Sequence, residues 1–407
     1  MQQFDLIIVG GGLAGASLAV ALRDTSLRIA LVERQAPVRP EGWDARVYAV
    51  SPANIDFLSS MGVWKHLDPG RIAPIRAMEV FGDAGGALNF SAFEAGVPDL
   101  GCILESSLMS SELWENIKRQ SGLEIFLSSL PESLQVTDDA AILRLADGRC
   151  LRAPLLVGAD GRDSWVREAA GLSAVNRHYG EKGVVANFAT ARPHRNTAWQ
   201  WFRDDGVLAY LPLPGNRMSI VWSTPDDHAD ALCAMPTEQF CQRVAGAGQH
   251  VLGELSLLTA PAAFALRLMR VPQIVASRIA LVGDAAHGIH PLSGHGVNLG
   301  FQDACALANR LREAKPWVDT GELRFLEAYQ RERREEILLM QSTTDALRRL
   351  FAHDSPLLRP LRNAGLNLTN RLPIAKNALV RYALGLRRRQ HPAAPPAQPG
   401  QDTPAIK

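Results

Sequence analysis

Cysteine is scarce in this 407-residue chain: the five present (Cys102, Cys150, Cys233, Cys241 and Cys305) are scattered, and no two form a Cys-x-x-Cys pair. That excludes a disulfide framework and points to a reducing compartment, the cytoplasm. A charge excess of either sign is also missing. Lys and Arg number 43 against 42 Asp and Glu, for a net charge of +1, so nothing marks the chain as a nucleic-acid or polyanion binder. There is no Gly-x-Ser-x-Gly elbow and no internal repeat. Long apolar runs are lacking too. The best candidate, residues 6–22, is seventeen residues without a charge, but Asp5 precedes it and Gly10, Gly11, Gly12 and Gly15 interrupt it. A targeting segment would want a basic lead, and a membrane span about 20 apolar residues. A buried strand, a tight turn and a buried helix fit that run better.

What is present is an ordinary globular composition. The chain is 47% hydrophobic, 21% charged and 6% aromatic, with a mean hydropathy of −0.04. Its length suits about two or three domains with a sizeable core. The charge is unevenly placed. Residues 355–389 carry eight basic side chains (Arg359, Arg362, Arg371, Lys376, Arg381, Arg387, Arg388 and Arg389) and no acid, which leaves about −7 for the remainder. Leucines are spread between these cations. The stretch reads either as a solvated helix face closing a domain or as a surface for anionic lipid or partner subunits. Residues 390–407, rich in Pro, Ala and Gln, read as a disordered tail.

The amino end carries the sharpest signal. Residues 4–9 form a short apolar run suited to a parallel strand. Gly10, Gly12 and Gly15 follow in Gly-x-Gly-x-x-Gly spacing, then an apolar helix from about 14 to 22. A second strand at 28–32 ends on Glu33, 23 residues after Gly10. This is the βαβ dinucleotide fingerprint: glycines let a pyrophosphate approach, the helix start offers free N–H groups, and the acid meets a ribose diol. Two further apolar strands, 155–158 and 279–282, end beside Asp160 and Asp284. An acid at a strand's carboxyl end sits either in the ligand crevice of an open α/β sheet or at the cap of the next helix.

Between 176 and 271 alternating, aromatic-rich stretches (199–202, 207–212, 218–222) suggest antiparallel strands, and a sheet-like stretch at 78–90 joins them. The expected fold is therefore α/β: a doubly wound, Rossmann-like cofactor domain (1–75, 99–175, 272–330) with an inserted antiparallel-sheet substrate domain (76–98, 176–271). A helical region follows over 331–389.

These motifs together resemble the class A flavoprotein monooxygenases. The residues that carry the likeness are Gly-Gly-Gly-Leu-Ala-Gly at 10–15, Asp44-Ala-Arg46, the Asp-Gly motif at 158–167, and Gly283-Asp284 through Phe301. More narrowly, the chain resembles the aromatic hydroxylases of ubiquinone biosynthesis, built on the para-hydroxybenzoate hydroxylase fold, over roughly residues 3–386. The resemblance implies FAD held by Gly10, Gly12, Leu13, Ala14 and Gly15 at the pyrophosphate, Glu33 with Arg34 at the adenosine ribose, and Arg46 and Ser106 on the flavin side. Asp160 belongs to the family's Asp-Gly motif, Asp284 meets the ribityl chain, and Pro291, Gly294, Gly296, Val297 and Asn298 line the isoalloxazine. Two positions depart from the family pattern: Ser106 stands where an asparagine is usual, and His295 where a glutamine is.

The implied reaction puts one oxygen atom of O2 into the ring of a polyprenylated phenol through a flavin C4a-hydroperoxide. NAD(P)H or a protein donor is the reductant. The protein's part is binding, orientation and exclusion of water. Alternatives are a hydroxylase of a small soluble aromatic, or a flavin-binding assembly subunit without turnover. A membrane-resident substrate favours peripheral contact at the inner membrane face through 355–389, and a complex with other ubiquinone-biosynthesis proteins. Trp201, Tyr210 and Trp222 are candidate substrate-pocket residues, although in alternating strands only every second one faces a given side. His287, His290 and His295 lack the carboxylate support of a metal site, so no metal is expected. His295, an imidazole in the flavin turn, is either a proton relay or a structural substitution.

Overall fold

The computed structural model describes residues 1–288, 296–352, 358–372 and 376. The expectations for Pro291, Gly294, His290, His295, the last four arginines of the basic stretch and the 390–407 tail fall outside these residues.

The apolar runs at the amino end become the centre of a six-stranded sheet. Its spatial order is Val275–Ala276, Ile279–Leu281, Leu155–Gly158, Leu6–Val9, Ile29–Glu33 and Leu123–Leu127. Every pairing from Ile279–Leu281 across to Leu123–Leu127 is parallel. Leu6–Val9 and Leu155–Gly158 are buried along their whole length. That explains why they read as continuous apolar runs and not as alternation. Helix Leu13–Ala21 crosses from the first of these strands, and seven of its nine residues are buried. A four-stranded sheet, with Gln2–Gln3 beside Cys150–Ala153, Ala141–Leu145 and Pro131–Val136, flanks this domain. Its short strands carry little pattern, and sequence reasoning missed it.

The middle of the chain forms a nine-stranded sheet dominated by Val175–Thr190, Thr197–Arg203, Gly206–Leu213 and Arg217–Pro225. Ala77–Phe81 joins it by parallel pairing with Thr197–Arg203. Helices Asp226–Ala234 and Thr237–Ala247 cover one face.

The carboxyl-terminal helices Leu323–Ala352 and Leu358–Arg371 close the molecule. The second lies along the outermost strand, Ala87–Ser91, and supplies the hydrogen bonds that an edge strand lacks. Asn363 accepts from the backbone N–H of Ala84 (3.1 Å) and Gly86 (2.8 Å), Asn367 from Ala87 (2.9 Å) and Asn370 from Asn89 (3.1 Å). An open edge is thereby blocked. The basic stretch is accordingly not a bare cationic face. Arg362 and Arg359 pair with Asp83, and Lys376 pairs with Glu94 at 2.7 Å. No helix among the described residues is long and apolar enough to cross a membrane.

Candidate active site

Three sequence motifs far apart in the chain meet at one place. Gly10 has φ +103°, a conformation that suits glycine. A Cβ there would come within 2.3 Å of the Ala159 carbonyl. A Cβ on Gly15 would strike the Gly10 carbonyl at 2.0 Å, and one on Gly283 would meet the Ala14 Cβ at 2.9 Å. Ala14 also touches Gly300, with 3.4 Å to the position of a Cβ there. These small residues let helix Leu13–Ala21 pack directly on helix Gly296–Glu313 and on the strand ends at 159 and 283. Gly12 and Gly296 differ: a Cβ on either meets nothing within 4 Å. Both face open space beside a helix start. Helix Leu13–Ala21 has no side-chain cap and no acid in its first turn, so its leading N–H groups at Leu13 and Ala14 are available to an anion. That is a cradle of the kind a pyrophosphate needs, and the residues present fit FAD.

The acids divide their tasks. The Glu33 carboxylate accepts from the N–H of Gly11 and, at 3.0 Å, from that of Gln35. This fixes it beneath the glycine turn, and Arg34 beside it is exposed. Asp160 is spent locally: one oxygen accepts from the Ser164 hydroxyl at 2.5 Å and the other from the Val166 N–H at 3.0 Å. It organises the start of helix Trp165–Ala169, which is the capping role. Asp284 is exposed in the turn Gly283–Ala285.

That turn rests on a buried ionic cluster that sequence reasoning did not find. Asp303 is fully buried and accepts from the Gly283 N–H (2.9 Å), from His287 Nε2 (2.6 Å) and from Arg333 Nε (2.7 Å). Burial alone would raise its pKa, but His287 and Arg333 outweigh this and hold the carboxyl below its ordinary range. His287, expected to lack a carboxylate partner, is thus paired with a buried one. Among the described residues there is no metal-ligating cluster.

The opposite wall is the loop carrying Asp44 and Arg46. Glu105 is almost wholly buried; it accepts from the Asp44 N–H at 2.6 Å and from Arg71 at 2.7 and 2.6 Å. Asp44 in turn caps helix Ser106–Lys118 through the Ser107 N–H (3.1 Å), and the Arg46 carbonyl accepts from the Ser106 N–H (2.9 Å). Arg46 itself is exposed. Tyr48 sits among these groups. Burial raises its phenol pKa and Arg46 opposes the shift, while Asp284 and Asp44 add to it and the Ser106 hydroxyl hydrogen-bonds it. Asn298 is occupied: its amide accepts from the Ser51 N–H (2.9 Å) and Asn54 (2.8 Å) and donates to the Ala49 carbonyl (2.7 Å). It ties the end of strand Val47–Val50 to the start of helix Pro52–Ser60. Val297 packs on the core of the cofactor domain.

The substrate-domain aromatics are a correction. Trp201, Tyr210 and Trp222 are 2%, 1% and 0% exposed and pack under the two covering helices. Tyr210 donates to the Val244 carbonyl at 2.5 Å and meets Trp201 edge-on at 4.8 Å. They are core, because their strand positions put them on the helix-covered face. The other face carries Asn187, Ser219 and Leu211 in one cross-strand row, and Val221, Ala209 and Gln200 in the next. Leu211, like Trp43 and Val47 of the cofactor-side wall, packs on the small buried cluster of Ile75, Ile103, Ala198 and Leu213.

The model of the FAD binding domain family matches residues 3–341. The ubiquinone hydroxylase UbiL of Rhodospirillum rubrum is 34% identical over 386 residues, covering 94% of this chain and 89% of that protein. The 3-demethoxyubiquinol 3-hydroxylase of Escherichia coli is 32% identical over 389 residues, covering 95% and 99%. Among solved structures, PqsL of Pseudomonas aeruginosa in complex with 2-aminobenzoylacetate superposes with a TM-score of 0.74 at 25% identity, over 90% of this chain and 99% of that one.

Proposed function

The chain belongs to the FAD-binding monooxygenase family that includes the ubiquinone-biosynthesis hydroxylases, and we propose that it hydroxylates the aromatic ring of a polyprenylated phenol in that pathway. The observation that carries the reading is the meeting of the Gly10–Gly15 turn with Ala159 and Gly283, with Gly12 left open at the uncapped start of helix Leu13–Ala21. FAD, when bound, supplies the oxygen-activating chemistry, with NAD(P)H or a protein donor as its source of electrons. The protein's tasks are to bind and to orient. Gly12, Leu13 and Ala14 hold the pyrophosphate; Glu33 serves the ribose; Asp284 and Arg46 flank the ribityl side. The Asp44–Arg46 loop, tied down through Glu105, and the turn tied down through Asp303 fix the two walls between which the ring must lie. The apolar side chains of Val221, Ala209 and Leu211, drawn from the two adjoining rows, exclude water, which matters because water diverts such reactions to peroxide.

Contact with the membrane surface is part of this proposal. Leu361, Leu368 and Leu372 are 67%, 60% and 48% exposed. Their spacing puts them on one helix face, opposite the asparagines that bind the sheet edge. A polyprenyl tail is membrane-resident, and an apolar stripe beside Arg371 suits an anionic lipid surface. The decisive test combines two measurements. Purified holoenzyme given a short-chain prenylphenol, NAD(P)H and O2 yields a product heavier by one oxygen, and a deletion strain accumulates an unhydroxylated quinone precursor. A strain with normal quinone and no accumulated precursor would refute the assignment.

A further inference from the structure

The loop that carries Arg46 is gripped from two sides at once. Asp44 has every polar group taken. Its N–H donates to Glu105 at 2.6 Å and its carbonyl accepts from the Asn187 amide at 2.9 Å, while its carboxylate accepts from the N–H groups of Arg46 (2.9 Å) and Ser107 (3.1 Å). Trp43, the residue before it, adds a contact of another kind. Two guanidinium groups lie over its indole ring, that of Arg71 at 4.1 Å from the centroid and that of Arg217 at 5.3 Å. Both are within reach of a cation–π attraction, which indole makes better than the other aromatic side chains.

The two cations come from different places. Arg71 is on the cofactor side; it pairs with Glu105 at 2.6 Å and donates to the Gly42 carbonyl at 2.9 Å. Arg217 opens strand Arg217–Pro225 of the nine-stranded sheet. It is half-buried and has no acidic partner among the described residues. Its head group meets the Pro214 carbonyl at 3.0 Å and the Trp43 ring. A half-buried charge without a counter-ion needs dipoles or an electron-rich ring around it, and Trp43 supplies the ring. Arg217 lies opposite Ala189, two residues along from the Asn187–Ser219 pair, so it shares their sheet face. The sheet therefore holds the cofactor loop at two successive residues, Trp43 through Arg217 and Asp44 through Asn187.

We propose that Trp43 and Arg217 are positioning residues for the cofactor: the clasp between them holds the Arg46 backbone where FAD needs it, and acts through Arg46 and not by contact of its own. The inference rests on the placement of Arg46 at the flavin side and adds to it a support reaching across from the other sheet.

The test follows FAD release from full-length holoenzyme on dilution, read as the return of free-flavin fluorescence. Arg217→Gln and Trp43→Leu should each release FAD about three- to tenfold faster, the worth of one such contact. Combining them should release it no faster than Trp43→Leu alone, because the partner is already gone. Trp43→Phe, which keeps a ring under both cations, should stay within about twofold of wild type. In an Arg46→Ala background, Arg217→Gln should add nothing. Wild-type release rates in Arg217→Gln would overturn the proposal. So would losses that multiply in full in the double variant, or an Arg217→Gln effect that persists undiminished beside Arg46→Ala. If Trp43→Leu does not fold, Arg217→Gln with and without Arg46→Ala decides the matter alone. An Arg46→Ala protein that holds FAD as the wild type does would instead remove Arg46 from the flavin side, and the proposal falls with that placement.

Discussion

Asp303→Asn should be among the most damaging near-isosteric changes in this protein, and its cost can be worked from the site. The carboxylate is fully buried and serves three donors: the Gly283 N–H, His287 and Arg333. The amide keeps the volume but removes the charge, and its NH2 group points a donor at donors. Breaking a buried ion pair from one side costs about 3–5 kcal/mol, because the partner stays charged and buried. Glu336 still meets Arg333, so the lower end, about 3 kcal/mol, is expected. That is a large share of a typical ~5–15 kcal/mol total. The cofactor turn loses its anchor as well. One charge-assisted hydrogen bond to the Gly283 N–H is worth about 1.5–3 kcal/mol, or about ten- to a hundredfold in FAD affinity if the turn drifts. Urea unfolding of the holoprotein, followed by flavin release and by tryptophan emission, measures both effects. Adding Arg333→Met to the first change should recover part of the loss, because the stranded cation is then gone. A single variant within about 0.5 kcal/mol of wild type, with FAD retained, would refute the view that this cluster supports the turn.

Other consequences are equally direct. Gly12→Val should fold and unfold as the wild type does yet purify without flavin, since its side chain fills the open cradle, whereas Gly10→Ala should fail to accumulate because of the 2.3 Å approach to Ala159; absorbance at flavin wavelengths and yield separate the two. Asn363→Ala strips the caps from Ala84 and Gly86 and a partner from Asp83, and should lower stability by about 1–3 kcal/mol, read as a shift of the urea midpoint. Asp83 is pushed up by burial, but Arg362 and Asn363 prevail and hold it below 3.8. Its contribution is therefore complete above that pH and is lost as pH falls through the lower folded value, so Asp83→Asn should flatten the acid end of the stability profile. Replacing Leu361, Leu368 and Leu372 together by serine should abolish sedimentation with anionic vesicles while FAD content is kept; undiminished vesicle binding would remove the membrane contact from the proposal.

Much of this protein is determined by local sequence. The strand–glycine–helix–strand run from 4 to 33 specifies its own geometry, because glycine spacing, helix start and terminal acid all act within one βαβ unit. The expected strands at 155–158 and 279–282 match Leu155–Gly158 and, to within one residue, Ile279–Leu281, because continuous apolar runs have few alternative uses. Alternation likewise announced the strands of the middle sheet. It could not say which face would be covered, and so Trp201, Tyr210 and Trp222 read as pocket residues: whether an aromatic in a strand meets a helix or a ligand is settled by what packs on that face, from elsewhere in the chain. The same holds for Asp160, whose two oxygens are taken by Ser164 and Val166, and for Asn298, whose amide is taken by Ser51, Asn54 and Ala49. Asp303, Arg333, Glu105 and Asn187 carry no motif at all. Their importance comes from burial beside partners 30 to 143 residues distant, and the energy of a buried charge or a buried amide exists only once tertiary packing has removed the water around it.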